Sequence, residues 1–318
     1  MICLKNLTEQ KTFLPGVILI GAHPPRKNAI VFFHIGVVVA CKAWRAGKDW
    51  ILYMKTRLEY FGIILSAVFF SLTVIASAMG ADSFEIGGRE LAMKIRNRDN
   101  GDDFTAQGKM ELIDKNNNRR DRTFVLHRKD DGDLSKQILR FLTPADIAGT
   151  AFLSMELNAS ETEQILYLPS LKRTRRIVSS QKATSFVNTD FTYEDMERRD
   201  VDLWEHKIIA IEKIGQAECF VLESVPKEKT KTEYSLIKSW VIKDINVPIK
   251  VDYYDKKKRL FKEYRVTNLK NIQGLWTEME VSMADVLSGH RTVMSNGEVV
   301  YNSGLSDDLF TERSLERW

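Results

Sequence analysis

Four of the five positions 172–176 are cationic: Lys172, Arg173, Arg175 and Arg176. Soon after come three aromatic residues, Phe186, Phe191 and Tyr193, and three carboxylates, Asp190, Glu194 and Asp195. Clustered guanidinium groups beside apolar surface suit an anionic head group on a hydrophobic ligand. The plainer reading is an edge strand guarded by charge against aggregation. Alternation sends Arg173 and Arg175 to one face and Lys172, Thr174 and Arg176 to the other, so both faces cannot be core. Arginine with aromatics also suits single-stranded nucleic acid. Charge argues against that partner: residues 1–80 hold nine Lys and Arg against three Asp and Glu, out of 47 and 43 in the whole chain. The body from residue 81 therefore carries a net −2.

Catalytic patterns are missing. His127, His206 and His290 are far apart in sequence, and none stands in an H-x-x-x-H or C-x-x-C context. The body has no G-x-S-x-G elbow and no P-loop. His290 stands beside Arg291 after a turn, which usually means a surface or capping role. Glu194 and Asp195 lie within a helical turn of Arg198 and Arg199 and read as a solvated ion-pair face. No catalytic residue, metal or cofactor is expected. A hydrolase would require the histidines to converge with an acid in one cleft.

The elements around this stretch are mostly strands. Phe104, Ala106, Gly108, Met110 and Leu112 alternate with polar residues, so one face is apolar and the other wet. Strands follow at 120–128, 136–142, 149–157, 165–168 and 172–178, then at 204–212, 219–225, 235–242, 249–254, 260–266 and 276–283. A last hairpin is expected over 289–300. Short strands with turn-like connectors mean an antiparallel sheet or barrel of roughly a dozen strands. Helices are expected at 84–98, where Leu91 and Ile95 stand four apart, at 193–199 with Thr192 as cap, and at 307–317.

The N-terminal region reads differently. Met54, Lys55 and Arg57 open a secretory leader, an uncharged apolar run follows over 61–76, and Ala76, Ser77 and Ala78 offer a cleavage site. Residues 54–80 are read as a signal peptide, 1–53 as a misassigned extension and 81–318 as one domain exported to the periplasm. Cys219 is the body's one cysteine, so no internal disulfide forms there.

The strings Arg140-Phe141-Leu142-Thr143-Pro144-Ala145-Asp146-Ile147-Ala148-Gly149-Thr150, Tyr167-Leu168-Pro169-Ser170-Leu171-Lys172-Arg173 and Asp190-Phe191-Thr192-Tyr193-Glu194-Asp195 resemble the LolA-like outer membrane lipoprotein-sorting protein family. So do Gly289-His290-Arg291-Thr292 and Leu309-Phe310-Thr311-Glu312. The resemblance implies a mainly β fold, an incomplete antiparallel β-barrel with a short helical lid over a hydrophobic cavity. It implies carriage of lipid or lipoprotein acyl chains, with an inner-membrane exporter and an outer-membrane acceptor as partners. Leu166, Leu168, Phe186, Phe191 and Tyr193 are then expected at the cavity or lid, and Arg173, Arg175 and Arg176 at its rim. The alternative is a module that carries nothing and docks on an exporter of the RND type through its basic strand.

Overall fold

The computed structural model describes residues 84–317. The leader read at 54–80 and the extension read at 1–53 lie outside the described residues. Residues 84–317 fall in one compact unit, Asp82–Trp318.

Thirteen antiparallel strands form one sheet. They are β1 (Asp103–Ile113), β2 (Arg119–Asp131), β3 (Leu134–Thr143), β4 (Ala151–Asn158), β5 (Glu161–Leu168), β6 (Arg173–Arg176), β7 (Trp204–Ile214), β8 (Ala217–Pro226), β9 (Leu236–Ile242), β10 (Pro248–Tyr254), β11 (Leu260–Ile272), β12 (Leu275–Asp285) and β13 (His290–Tyr301). Each strand pairs with its sequence neighbours, with one exception. The first and last strands pair in mid-sheet, Met110 opposite Met294, and the two edges are β6 and β7. Those two are consecutive in the chain. The fold is a barrel meander cut open at one connection, residues 177–203.

The sheet curls. In a flat sheet, nine spacings from β5 to β9 would span about 43 Å. Leu166 of β5 and Ile237 of β9 nonetheless share one apolar cluster with Met110, Phe124, Phe141 and Val251. These residues define the inner face. On the outer face, Ile138, Leu153 and Ile165 are covered by Phe310 and Leu315 of the C-terminal segment. That segment is a 3₁₀ turn, Asp307–Phe310, followed by α2 (Glu312–Glu316). Arg140, buried on the outer face, donates to the carbonyls of Ser314 and Leu315 and so satisfies the helix end.

Helix α1 (Gly88–Arg96) is shorter than the sequence suggests. Glu90 pairs with Lys94 at 3.0 Å along its exposed side. Its buried side, Leu91 and Ala92, meets Val201, Ile208, Phe220 and Leu222 over the β7 end of the sheet. Gly88 permits this approach, because a Cβ there would stand 2.4 Å from the His206 carbonyl oxygen. Gly88→Ala is therefore expected to push α1 off β7 and cost about 1–3 kcal/mol. A denaturant melt indistinguishable from wild type would refute that account.

Two expected elements differ. The hairpin at 289–300 is the single strand β13, for Gly297 marks a bulge and not a turn: the β1–β13 register shifts between Ala106 and Gly108. The helix expected at 193–199 is only a 3₁₀ turn, Glu194–Met196. The Asp195 carboxylate turns back to accept from the Thr192 N–H and hydroxyl, both at 2.8 Å, and closes the segment on itself.

Candidate functional site

The connection from β6 to β7 enters the inner face as a tight hairpin. Phe186 N–H donates to the Phe191 carbonyl at 2.8 Å, and Ser185 bridges Thr192. At its tip, Val187 and Asn188 are both left-handed, with φ of 48° and 60°. Asparagine tolerates this region, but a β-branched valine is strained there. Three sheet residues hold the strained tip. Arg122 donates to the Val187 carbonyl at 2.7 Å. Asp190 accepts from the Thr292 hydroxyl at 2.6 Å and bonds His290 Nδ1 at 2.7 Å.

This hairpin is a plug. Phe186, Phe191 and Tyr193 are 1%, 6% and 2% exposed. The Phe186 ring meets Phe152 edge-on at 5.0 Å and Tyr193 at 5.6 Å. Leu166 and Leu168 of β5 join the same cluster, so the structure brings all five apolar candidates together. They line an occupied inner face and do not roof an empty one.

The basic candidates divide as alternation requires. Arg173 and Arg175 lie opposite Leu168 and Leu166 on edge strand β6. Arg175 reaches the Tyr193 phenol; burial raises that phenol's pKa, and Arg175 offsets part of the rise. Arg176 belongs to the other face, where it pairs with Glu163 and Glu312.

The ion-pair face read at 194–199 is in fact a buried polar network across the sheet. Asp195 and Lys262 pair at 2.8 Å with side chains 2% and 4% exposed. Tyr234 donates to Asp195 at 2.7 Å. Burial alone would raise the Asp195 pKa, but Lys262 and the Thr192 N–H outweigh it and hold the carboxyl below its ordinary value. For Glu194 burial wins and raises the pKa, despite bonds from Thr232 and Glu233 and the nearby Arg199 charge. Arg198 chelates Glu156 of β4, and the Arg199 guanidinium lies 5.3 Å over the Tyr253 ring. Gln164 of β5 donates to the Tyr193 carbonyl at 2.8 Å. The plug thus bonds both halves of the sheet. No sequence signal identified Lys262, Tyr234 or Tyr253, whose partners stand tens of residues away.

Open space remains beside the plug. A cavity of about 260 Å³ lies between α1 and the β7–β10 strands, lined by Ala92, Ile95, Trp204, Leu222 and Val251, with Arg96 and Arg199 on its wall. A second, of about 290 Å³, shares Asn100, Glu197 and Arg198 with the first. Both fall below the roughly 300–1,000 Å³ typical of a small-molecule site.

The histidines do not converge. His127 bonds Thr105, His206 bonds Ser224, and only His290 meets an acid. The cavity beside His290 is lined by Leu112, Asp114, Asn118, Arg120, Arg122 and Asn188, without a hydroxyl or thiol to serve as nucleophile. Among the described residues no group of three or more His, Cys, Asp or Glu is placed to hold a metal ion.

The same fold occurs in solved structures. A putative outer membrane lipoprotein-sorting protein domain from Vibrio parahaemolyticus is 30% identical, with TM-score 0.68, over 72% of this chain and 98% of its own. The chain belongs to the LolA-like lipoprotein-sorting family. A DUF1329 family protein from Desulfovibrio piger is 29% identical, with TM-score 0.68, over 72% of this chain and 97% of its own. A LolA superfamily protein from Nitrosomonas europaea, 21% identical with TM-score 0.57 over 72% of this chain and 99% of its own, shares the fold. A family profile described as an uncharacterized protein matches residues 133–317. No curated protein matches the chain.

Proposed function

We propose that residues 81–318, exported to the periplasm behind the leader at 54–80, carry the acyl chains of a lipid or lipoprotein on the inner face and hand them toward the outer membrane. The carrying observation is the plug: an apolar inner face spanning most of the sheet is filled by a hairpin of the same chain, inserted at the sheet's one open seam. Magnitudes favour exchange. Burying Phe186, Phe191 and Tyr193 stabilises the closed form by about 2 kcal/mol each. One long acyl chain gains on the order of 10 kcal/mol on leaving water. Cargo can displace the plug, and the returning plug lowers the cost of release. Leu166 and Leu168 would meet the chain, while Arg173 and Arg175 would face an anionic group at the seam. The reading includes no catalytic step.

The purified body, delipidated and refolded, should bind a fluorescent fatty-acyl probe saturably and quench Trp204, which lines the α1 cavity. A flat titration would remove this reading. The filled inner face also favours a second reading, in which the protein carries nothing and docks on an RND-type exporter. Under that reading the probe fails to bind, and an inner-membrane exporter is recovered with the protein after cross-linking.

A further inference from the structure

In an antiparallel meander, alternate turns fall on the same rim. Three turns are adjacent on one rim: β10–β11, β12–β13 and β1–β2. Val286 N–H donates to the Phe261 carbonyl at 3.0 Å, and a Cβ on Gly289 would stand 3.4 Å from that of Lys115. Farther along come the β3–β4 and β5–β6 turns, where a Cβ on Gly149 would stand 3.6 Å from the Pro169 ring.

Two features set this rim apart. Its tips carry exposed aliphatic side chains, Leu287 at 58% and Leu171 at 62%. They also carry an exposed cationic run, Lys256, Lys257, Lys258 and Arg259, with Lys115 and Lys172 on neighbouring turns. Three acids of these turns are engaged locally: Asp114, Asp255 and Asp285 each accept from backbone N–H groups of their own turn, and Asp255 also pairs with Arg259 at 2.7 Å, which leaves the three lysines as the run's uncompensated charge. Asp146 is the exposed acid of the β3–β4 turn. The opposite rim carries exposed acids, Asp131 and Asp133 in the β2–β3 turn and Asp99 and Asp102 ahead of β1, alongside the separate lysines Lys213 and Lys270.

We propose that the basic rim is a docking face for an anionic phospholipid bilayer. Leu171 and Leu287 enter the interfacial layer, and Lys256, Lys257 and Lys258 lie over lipid phosphates. Isolated aliphatic tips ringed by lysine suit a bilayer, because each tip needs only a soft apolar layer and each ammonium only a diffuse negative surface. The acidic rim then turns away from the membrane, which fixes the orientation. Docking stands apart from the carrier reading. If both hold, the strained plug tip is delivered to the lipid surface, for Asn188 and His290 line one cavity with Asn118 and Arg120 of the β1–β2 hairpin.

The body alone serves for the test, since relatives 29–30% identical consist almost wholly of this unit. It should co-sediment with phosphatidylglycerol-rich vesicles and hardly at all with pure phosphatidylcholine vesicles. About 1 M salt, where the Debye length is near 3 Å, should release it. Lys256→Glu/Lys257→Glu/Lys258→Glu should lower partitioning about a hundredfold, and Leu171→Ser/Leu287→Ser at least about tenfold. These side chains are exposed, and unchanged melting of each variant would show that its fold survives. Equal binding of both vesicle types, or wild-type partitioning of the charge-reversed variant, overturns the proposal. So does absence of binding to either, which would leave the rim to an acidic protein. None of these readings involves acyl-probe binding, so docking and carriage fail separately.

Discussion

Replacing Lys262 with methionine is expected to cost about 3–5 kcal/mol of folding stability, because it strands a buried carboxylate. Asp195 is 2% exposed and receives the Lys262 ammonium at 2.8 Å. Its remaining hydrogen-bond partners, the Tyr234 hydroxyl and Thr192, are neutral, and the Arg199 charge nearby offsets only part of the loss. The loss should carry a pH signature. In the wild type the Asp195 pKa lies below its ordinary value of 3.8, so the native state binds protons less readily than the unfolded chain. The stability this supplies is complete above the unfolded value and disappears as pH falls through the folded one. In the variant, burial acts on Asp195 without Lys262, and its pKa moves up. The deficit relative to wild type should therefore be greatest near neutrality and shrink as pH is lowered toward about 4, where the stranded carboxyl takes up a proton. Urea melts at several pH values test this. A deficit below about 1 kcal/mol, or one independent of pH, would mean that the pair does not anchor the plug. Asp195→Asn/Lys262→Met, which removes both charges, should recover part of the loss.

The pH argument also shows where sequence reading stops. Period-two alternation marked β1 from Phe104 to Leu112, and charge alternation on β6 correctly separated Arg173 and Arg175 from Arg176. These signals are local: a strand's faces are set by its own side chains. The burial of Leu166, Phe186 and Tyr193 was legible for the same reason, since each stands out within its own segment. Pairing of β1 with β13 was not legible, because nothing in either strand names its partner. The 194–199 segment misled for a related reason. At spacings of three and four its charges satisfy one another on paper. In the fold Arg198 goes to Glu156 and Asp195 to Lys262, contacts of 42 and 67 residues' separation. The hairpin expected over 289–300 failed as well, since a glycine such as Gly297 suits a turn or a bulge equally, and only pairing on both sides of β13 decides.

Phe186→Ala is expected to destabilise the protein and to tighten its hold on an acyl probe, two effects that ordinary damage does not combine. The ring is 1% exposed and packed against Phe141, Phe152 and Tyr193, so truncation should cost about 3–5 kcal/mol in a melt without ligand. If the plug occupies the acyl path, that cost falls on the closed form. A chain entering the inner face then displaces less, and probe affinity should rise about tenfold or more while the melting deficit narrows with added probe. His290→Ala separates gating from packing. It removes a bond to Asp190 at the strained tip and leaves the aromatic cluster intact. Its stability loss should be small, about 1–2 kcal/mol, and its main effect should be faster probe entry in stopped flow. The two variants discriminate between the functional readings. Tighter binding by the first with faster entry in the second makes the plug a gate held by a strained tip. A destabilised Phe186→Ala protein that binds the probe no better than wild type makes the aromatic cluster a permanent core, and the inner face would then carry nothing.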